Sequence, residues 1–257
     1  MHELFDDQAA RTPDAVAVSC ADQRLTFAAL ATRANQLAHH LTGLGVGPGT
    51  LVGVCVERGV EAMVALLGVM KSGAAFVPLD PDYPAQRLNM MLDDAAAPVV
   101  VTETALADRV TAHPATVVYL DRDRPTLDTL PGTPPPSGAT VDDLVYVIYT
   151  SGTTGKPKGV LINHRNIHHI LRSWNARYRL DEIRGRALCV ASFGVDLFLG
   201  DFLFSALFGG EMVVCPADVV TDPPTLVDLI AEVRPQILAT TPSLARAIST
   251  ETRLARA

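Results

Sequence analysis

Tyr149-Thr150-Ser151-Gly152-Thr153-Thr154-Gly155-Lys156-Pro157-Lys158-Gly159 follows directly on the apolar run that starts at Leu144. Leu144 to Tyr149 reads as a strand and Thr150 to Gly159 as a loop. Three glycines let the backbone turn its N–H groups toward one point. Four hydroxyls add donors and two ammonium groups add positive charge. Together they suit a concave site for a polyphosphate. The alternative is a solvated Gly/Ser/Thr turn. Against it, the chain has only three lysines, Lys71, Lys156 and Lys158, and two of them lie here. The loop is not a Walker loop, which needs G-x-x-x-x-G-K followed by Ser or Thr. Here Pro157 follows Lys156, and two residues separate Gly152 from Gly155.

Outward from the loop, short apolar runs alternate with helical patterns. On the C-terminal side these are a short strand at Val160 to Ile162, a helix at His164 to Arg179, a strand at Leu188 to Ser192 and a helix at Leu197 to Phe208. Then come a strand at Met212 to Cys215, a helix at Pro223 to Val233, a strand at Gln236 to Ala239 and a helix from Leu244. On the N-terminal side, strands are expected at Ala15 to Ser19, Leu51 to Val56, Ala75 to Leu79, Pro98 to Val101 and Val117 to Leu120. Helices are expected from Phe27, capped by Thr26, from Val60 to Lys71, after Pro84, and near Leu106. Such alternation means βαβ crossovers and largely parallel sheets, an α/β class. Residues 125–140 are rich in proline and glycine and read as a linker. It separates a first α/β subdomain, 1–124, from a second, 141–257, that opens with the loop.

Composition bounds the function. The 257 residues are 48% hydrophobic and 19% charged, with a net charge of −7. This is a globular chain whose acidity opposes nucleic acid or an anionic membrane surface. No apolar stretch is long enough to span a bilayer, and the N-terminus lacks the pattern of a signal peptide. The four cysteines are unpaired by spacing and lie in or beside apolar runs. Free thiols in the reducing cytoplasm are expected.

Two further features carry candidate chemistry. Asp196 and Asp201 interrupt the apolar run Phe193 to Phe204. An unpaired buried carboxylate costs several kcal/mol, roughly, so one of them should face a cation or solvent. Asp196 would also be a good N-cap for a helix from Leu197, and Asp201 reads as structural. His164 and His168 are spaced i, i+4, but no Glu follows His164 and no third ligand is near. No metal site is expected from them.

The loop Tyr149 to Gly159 resembles the phosphate-loop signature of the adenylate-forming superfamily. Leu25-Thr26-Phe27-Ala28-Ala29-Leu30 and Met70-Lys71-Ser72-Gly73-Ala74-Ala75-Phe76-Val77-Pro78-Leu79-Asp80 are similar to core motifs of one branch, the adenylation domains of nonribosomal peptide synthetases. Pro81-Asp82-Tyr83-Pro84 and Arg87-Leu88 continue the likeness. The resemblance covers essentially the whole chain. It implies stacked parallel-rich sheets with flanking helices, as in the large N-terminal domain of that family. It implies that an amino acid is activated with MgATP to aminoacyl-AMP and passed to the phosphopantetheine thiol of a carrier protein.

By the same resemblance Lys158 is the regular lysine of the loop and Lys156 the more variable one. Lys158 and Thr153 are the expected catalytic pair. Thr150, Ser151, Gly152, Thr153, Thr154, Gly155, Lys156 and Lys158 are expected to hold ATP. Asp196 is expected to pair with the substrate's α-ammonium, with Leu197, Gly200 and Ala239 lining its pocket. The family's adenine site, its Mg²⁺ ligand and its last catalytic lysine have no counterpart here, so the fold is expected to be incomplete at the C-terminus and this chain by itself inactive. A small accessory protein is a further possible partner. The competing readings are an acyl- or aryl-CoA ligase, disfavoured by Asp196, and a non-catalytic fragment that needs its other half.

Overall fold

A computed structural model describes residues 1–110, 113–150, 157–183 and 185–251. In chain order the elements are α1 (His2–Arg11), β1 (Val16–Cys20), β2 (Gln23–Thr26), α2 (Phe27–Gly43), β3 (Leu51–Cys55), α3 (Val60–Lys71), β4 (Ala75–Pro78), α4 (Ala85–Ala95), β5 (Val99–Thr102), α5 (Ala107–Val110), β6 (Thr116–Tyr119) and α6 (Arg124–Leu127). They continue with β7 (Leu144–Thr150), β8 (Lys158–Asn163), α7 (His164–Tyr178), α8 (Leu180–Ile183), β9 (Arg186–Cys189), α9 (Asp196–Phe208), β10 (Glu211–Val214), α10 (Ala217–Val220), α11 (Pro223–Val233) and α12 (Pro242–Thr250).

Two sheets form. One has the order β6-β5-β3-β4-β7-β8, and the other β2-β1-β10-β9. Every neighbouring pair is parallel except the hairpins β1–β2 and β7–β8. The α/β, parallel-rich expectation therefore holds. Neither sheet follows the chain's division at the proline-rich stretch. Strands from before residue 27 join strands from after residue 185, and the hairpin that flanks the loop completes the sheet of β3 to β6.

The amino-acid pattern explains the layering. Helix α3 is buried along nearly its whole length, from Val60 to Lys71, and touches β1 and β2 of one sheet and β3 and β4 of the other. A helix held between two sheets has no solvent face, which is why its sequence lacks an apolar stripe. Its last residue, Lys71, is 1% exposed, ion-paired with Asp6 of α1, and has its Nζ 5.7 Å from the centre of the Phe5 ring. Burial pulls the Lys71 ammonium below its usual range, and the Asp6 partner opposes this. Helix α1, which was not foreseen, supplies that partner.

Other local differences have simple causes. The expected strand at Gln236 to Ala239 is reduced to one parallel bridge, Ala187 to Ile237. The start of the proline-rich stretch carries the one-turn helix α6, with Pro125 in its first turn. The stretch is also held along α2. Asn35 Nδ2 donates to the Gly132 carbonyl at 2.6 Å, and Gln36 donates to that of Asp128 at 3.3 Å. Thr26 caps α2 as expected, its hydroxyl accepting from the Ala29 N–H at 3.2 Å.

Candidate functional site

The hairpin of β7 and β8 frames the glycine-rich loop. Thr150 pairs with Lys158 and Tyr149 with Gly159, so Lys158 and Gly159 belong to a strand and not to the loop. The expected ligands Ser151, Gly152, Thr153, Thr154, Gly155 and Lys156 lie outside the described residues. Thr150 and Lys158 are exposed at the paired strand ends. The Thr150 hydroxyl donates to the Lys158 carbonyl at 3.5 Å. The strand end is pinned from the other side: the Tyr149 hydroxyl donates to the Asp94 carboxylate of α4 at 2.6 Å. Burial raises the Tyr149 phenol well above its ordinary range, and Asp94 adds to this. That phenol therefore stays a donor.

Asp196 is the first residue of α9, and Val195 is the N-cap. The capping role weighed for Asp196 is absent, because its side chain makes no cap hydrogen bond. It is exposed instead. Its carboxylate still complements the positive end of α9. The segment before it is fixed by several contacts. The Ser192 hydroxyl donates to Asp80, just beyond β4, and accepts from the Gly194 N–H at 3.3 Å. A Cβ at Gly194 would lie 2.9 Å from the Tyr83 hydroxyl and 3.3 Å from the Asp80 Cβ. Only glycine lets this turn pack so closely.

Two cavities meet at Asp196. A cleft of about 440 Å³ runs from Asp196 to Thr150, between Tyr83 and Arg87 on one side and Tyr146, Ile148 and Ile162 on the other. The Arg87 guanidinium lies 4.1 Å from the centre of the Tyr83 ring, and its buried Nε has no hydrogen-bond partner. Burial pushes the Tyr146 phenol up to about 12, with the charge of Asp196 contributing. A second cavity of about 190 Å³ lies between α7 and α9, and Asp196, Leu197 and Gly200 line it together. Ala239 is half-buried and lines neither space. Tyr83, Arg87, Tyr146 and Trp174 were not singled out as site residues. Pro84 and Arg87 were legible as a helix start and a motif position, but no sequence signal placed them opposite Asp196.

The other aspartate of the run is a core residue. Asp201 is fully buried, and its carboxylate receives no N–H or O–H donor, with the Cys189 thiol as its polar neighbour. Burial raises its pKa to about 7. The two histidines have unlike surroundings. His164 is buried against the His2 ring, while His168 is exposed. Among the described residues no three His, Cys, Asp or Glu side chains group as metal ligands. All four cysteines are free, and no helix among the described residues is long and apolar enough to cross a membrane.

Thr150, the strand partner of Lys158, and Asp196 line the same cleft, so a hydroxyl at the loop's strand end and a carboxylate share one space. Comparison with known proteins gives the family. The family model described as AMP-binding enzyme matches residues 5–257. Gramicidin S synthase 2 of Brevibacillus brevis is 40% identical over 243 residues, which are 95% of this chain and 5% of that protein. The AMPPNP-bound form of the nonribosomal peptide synthetase FmoA3 superposes with a TM-score of 0.89 at 32% identity, over 99% of this chain and 27% of that one. Its alpha-methyl-L-serine-AMP-bound form gives 0.88 at 31%, over 99% and 29%. This chain thus spans a small part of each relative's length.

Proposed function

The chain belongs to the AMP-binding enzyme family, and on that premise we propose that it is the N-terminal part of an amino-acid adenylation domain of a nonribosomal peptide synthetase. The amino-acid carboxylate attacks the α-phosphorus of ATP, the bond to the β-phosphate oxygen breaks, and aminoacyl-AMP and pyrophosphate result. The phosphopantetheine thiol of a carrier protein then attacks the acyl carbon, the bond to the phosphate oxygen breaks, and a thioester and AMP result. Residues 141–257 carry the chemistry, and 1–124 together with the stretch 125–140 support it. Four free thiols suit the reducing cytoplasm.

The observation that carries this reading is the position of Asp196, exposed where the cleft leading to Thr150 meets the apolar cavity. A carboxylate there holds the α-ammonium and leaves the substrate carboxylate toward the loop. Lys158, Thr150 and the hydroxyls of Ser151, Thr153 and Thr154, with Gly152, Gly155 and Lys156, hold the β- and γ-phosphates as charge develops on the leaving pyrophosphate. Among the described residues no three His, Cys, Asp or Glu side chains group together, so a magnesium ion would arrive with ATP and would add neutralising charge there. FmoA3 is described with AMPPNP and with an aminoacyl-AMP bound, which supports ATP and an amino acid as substrates.

Pyrophosphate exchange by the complete synthetase, across a panel of amino and carboxylic acids, tests the reading. With the bound amino acid covering Asp196 and drying the pair, Asp196→Asn should raise the KM for the amino acid by about tenfold or more and leave the KM for ATP unchanged. Exchange with carboxylic acids that lack an amine, equal in both proteins, would refute it.

A further inference from the structure

The cavity of about 190 Å³ beside Asp196 is lined mainly by apolar side chains, with the Asp196 carboxylate, the Tyr146 phenol and the Trp174 indole as its polar-bearing groups. Ile167, Ile170 and Trp174 of α7 face Leu197, Gly200 and Leu203 of α9 across it. Asp196 is the single charged residue among the described residues that line it. At Gly200 a Cβ would stand 3.5 Å from Cη2 and 3.6 Å from Cζ3 of Trp174. The indole thus lies against the space where a side chain at position 200 would project. It is held there by stacking on Phe204, one turn further along α9, with ring centres 4.4 Å apart and planes 20° apart. Gly200 and Trp174 are therefore complementary: the helix that carries Asp196 gives up a side chain, and the neighbouring helix fills the wall with an aromatic face.

We propose that Trp174 is a specificity-determining residue, that it walls a side-chain pocket kept open by Gly200, and that the amino acid activated there has an apolar side chain. The inference rests on the adenylation reading. With its α-ammonium on Asp196, an amino acid directs its side chain to one of the two spaces that meet at that residue, and this is the apolar one. A charged or amide side chain would lose its water there and meet mostly aliphatic walls, with only the Trp174 indole N–H and the Tyr146 phenol as polar partners besides Asp196. A second carboxylate would also meet the charge of Asp196. An apolar side chain gains about fourfold in affinity for each methylene buried.

The test is pyrophosphate exchange by the complete synthetase with the twenty common amino acids. It compares the natural protein with Trp174→Ala and Gly200→Ala. The natural protein should favour apolar amino acids. Trp174→Ala, which enlarges the pocket, should shift the ratio of kcat/KM between a larger and a smaller apolar substrate by about tenfold or more toward the larger, with the KM for ATP unchanged. Gly200→Ala, which fills it, should shift the ratio the other way. A preference for a charged or amide side chain, or equal losses for every substrate in both variants, would overturn the proposal while exchange itself upheld adenylation. Exchange with no amino acid at all would overturn the adenylation reading, and this one with it.

Discussion

The Ser192 hydroxyl donates to the carboxylate of Asp80, so the turn that precedes Asp196 is tied to the end of β4 in the other sheet. Asp80 is buried and also accepts from the Asp82 N–H at 3.0 Å. One carboxylate thus organises both the turn into α4 and the approach to α9. Ser192→Ala leaves the Gly194 N–H and one Asp80 oxygen without this partner, at a cost of about 1–2 kcal/mol. In the complete enzyme the KM for the amino acid should rise by roughly tenfold, with the KM for ATP within about twofold of the natural value. Equal rises in both constants would show that the contact supports the domain in general and not Asp196.

Lys158 and Lys71 should fail in different ways. Lys158 stands exposed at the loop's strand end and forms no ion pair among the described residues, whereas Lys71 is sealed against Asp6 and Phe5. Lys158→Ala should lower the rate of adenylation by about a hundredfold and leave thermal stability almost unchanged. Lys71→Ala strips Asp6 of its buried partner and should cost about 3–5 kcal/mol of stability. Lys71→Met, which fills the space, should be milder in a protein that also carries Asp6→Asn. Calorimetry paired with exchange kinetics separates the two lysines, and matching losses in activity would refute the assignment.

The alternation of apolar runs with helical patterns made the parallel sheets readable, and the strands that flank the glycine-rich loop were legible, though not their antiparallel pairing. Position across the molecule was harder to read. β10 inserts between β1 and β9, and β1 and β10 are far apart in the chain, so no local pattern reports the pairing. The same limit hid Tyr83, Arg87 and Trp174, which reach the site through long-range packing. Helix α1 was missed because its apolar residues are few, and its role is to bring Asp6 to Lys71. The role of Asp196 as cap or ligand stayed open in the sequence because both need an acid at the start of α9. The backbone decides against the cap by placing Val195 at that position.

Asp201 sets a pH dependence of known sign. An aspartate in the unfolded chain titrates near 3.9, while burial raises Asp201 to about 7 in the fold. Between those values the folded state keeps a proton that the unfolded state has lost. Stability from this group therefore falls as pH rises from about 4 to about 7 and is level above that, a swing on the order of 4 kcal/mol. Asp201→Asn keeps the shape and removes the titration. Urea unfolding of the domain should show the variant gaining on the natural protein between about pH 5 and about pH 8. A gap that is the same at both pH values would mean that Asp201 is not held neutral by burial.

The 257-residue chain, expressed by itself, should associate. Strand β8 is the outer strand of the six-stranded sheet and carries Val160 and Leu161, which are 45% and 59% exposed. Its free edge offers unpaired backbone groups, and its apolar side chains add a surface that water disfavours. On the four-stranded sheet, β9 is also an edge, covered at a single point by the Ile237 bridge. Val213, whose strand β10 lies inside that sheet, is not part of the exposed edge. Sedimentation should therefore show dimers and larger species at micromolar concentration. Leu161→Lys adds a charge to the outer strand and should move the population toward monomer without changing the far-ultraviolet circular dichroism. A natural-sequence chain that sediments as a compact monomer and unfolds cooperatively would show that β8 needs no partner strand.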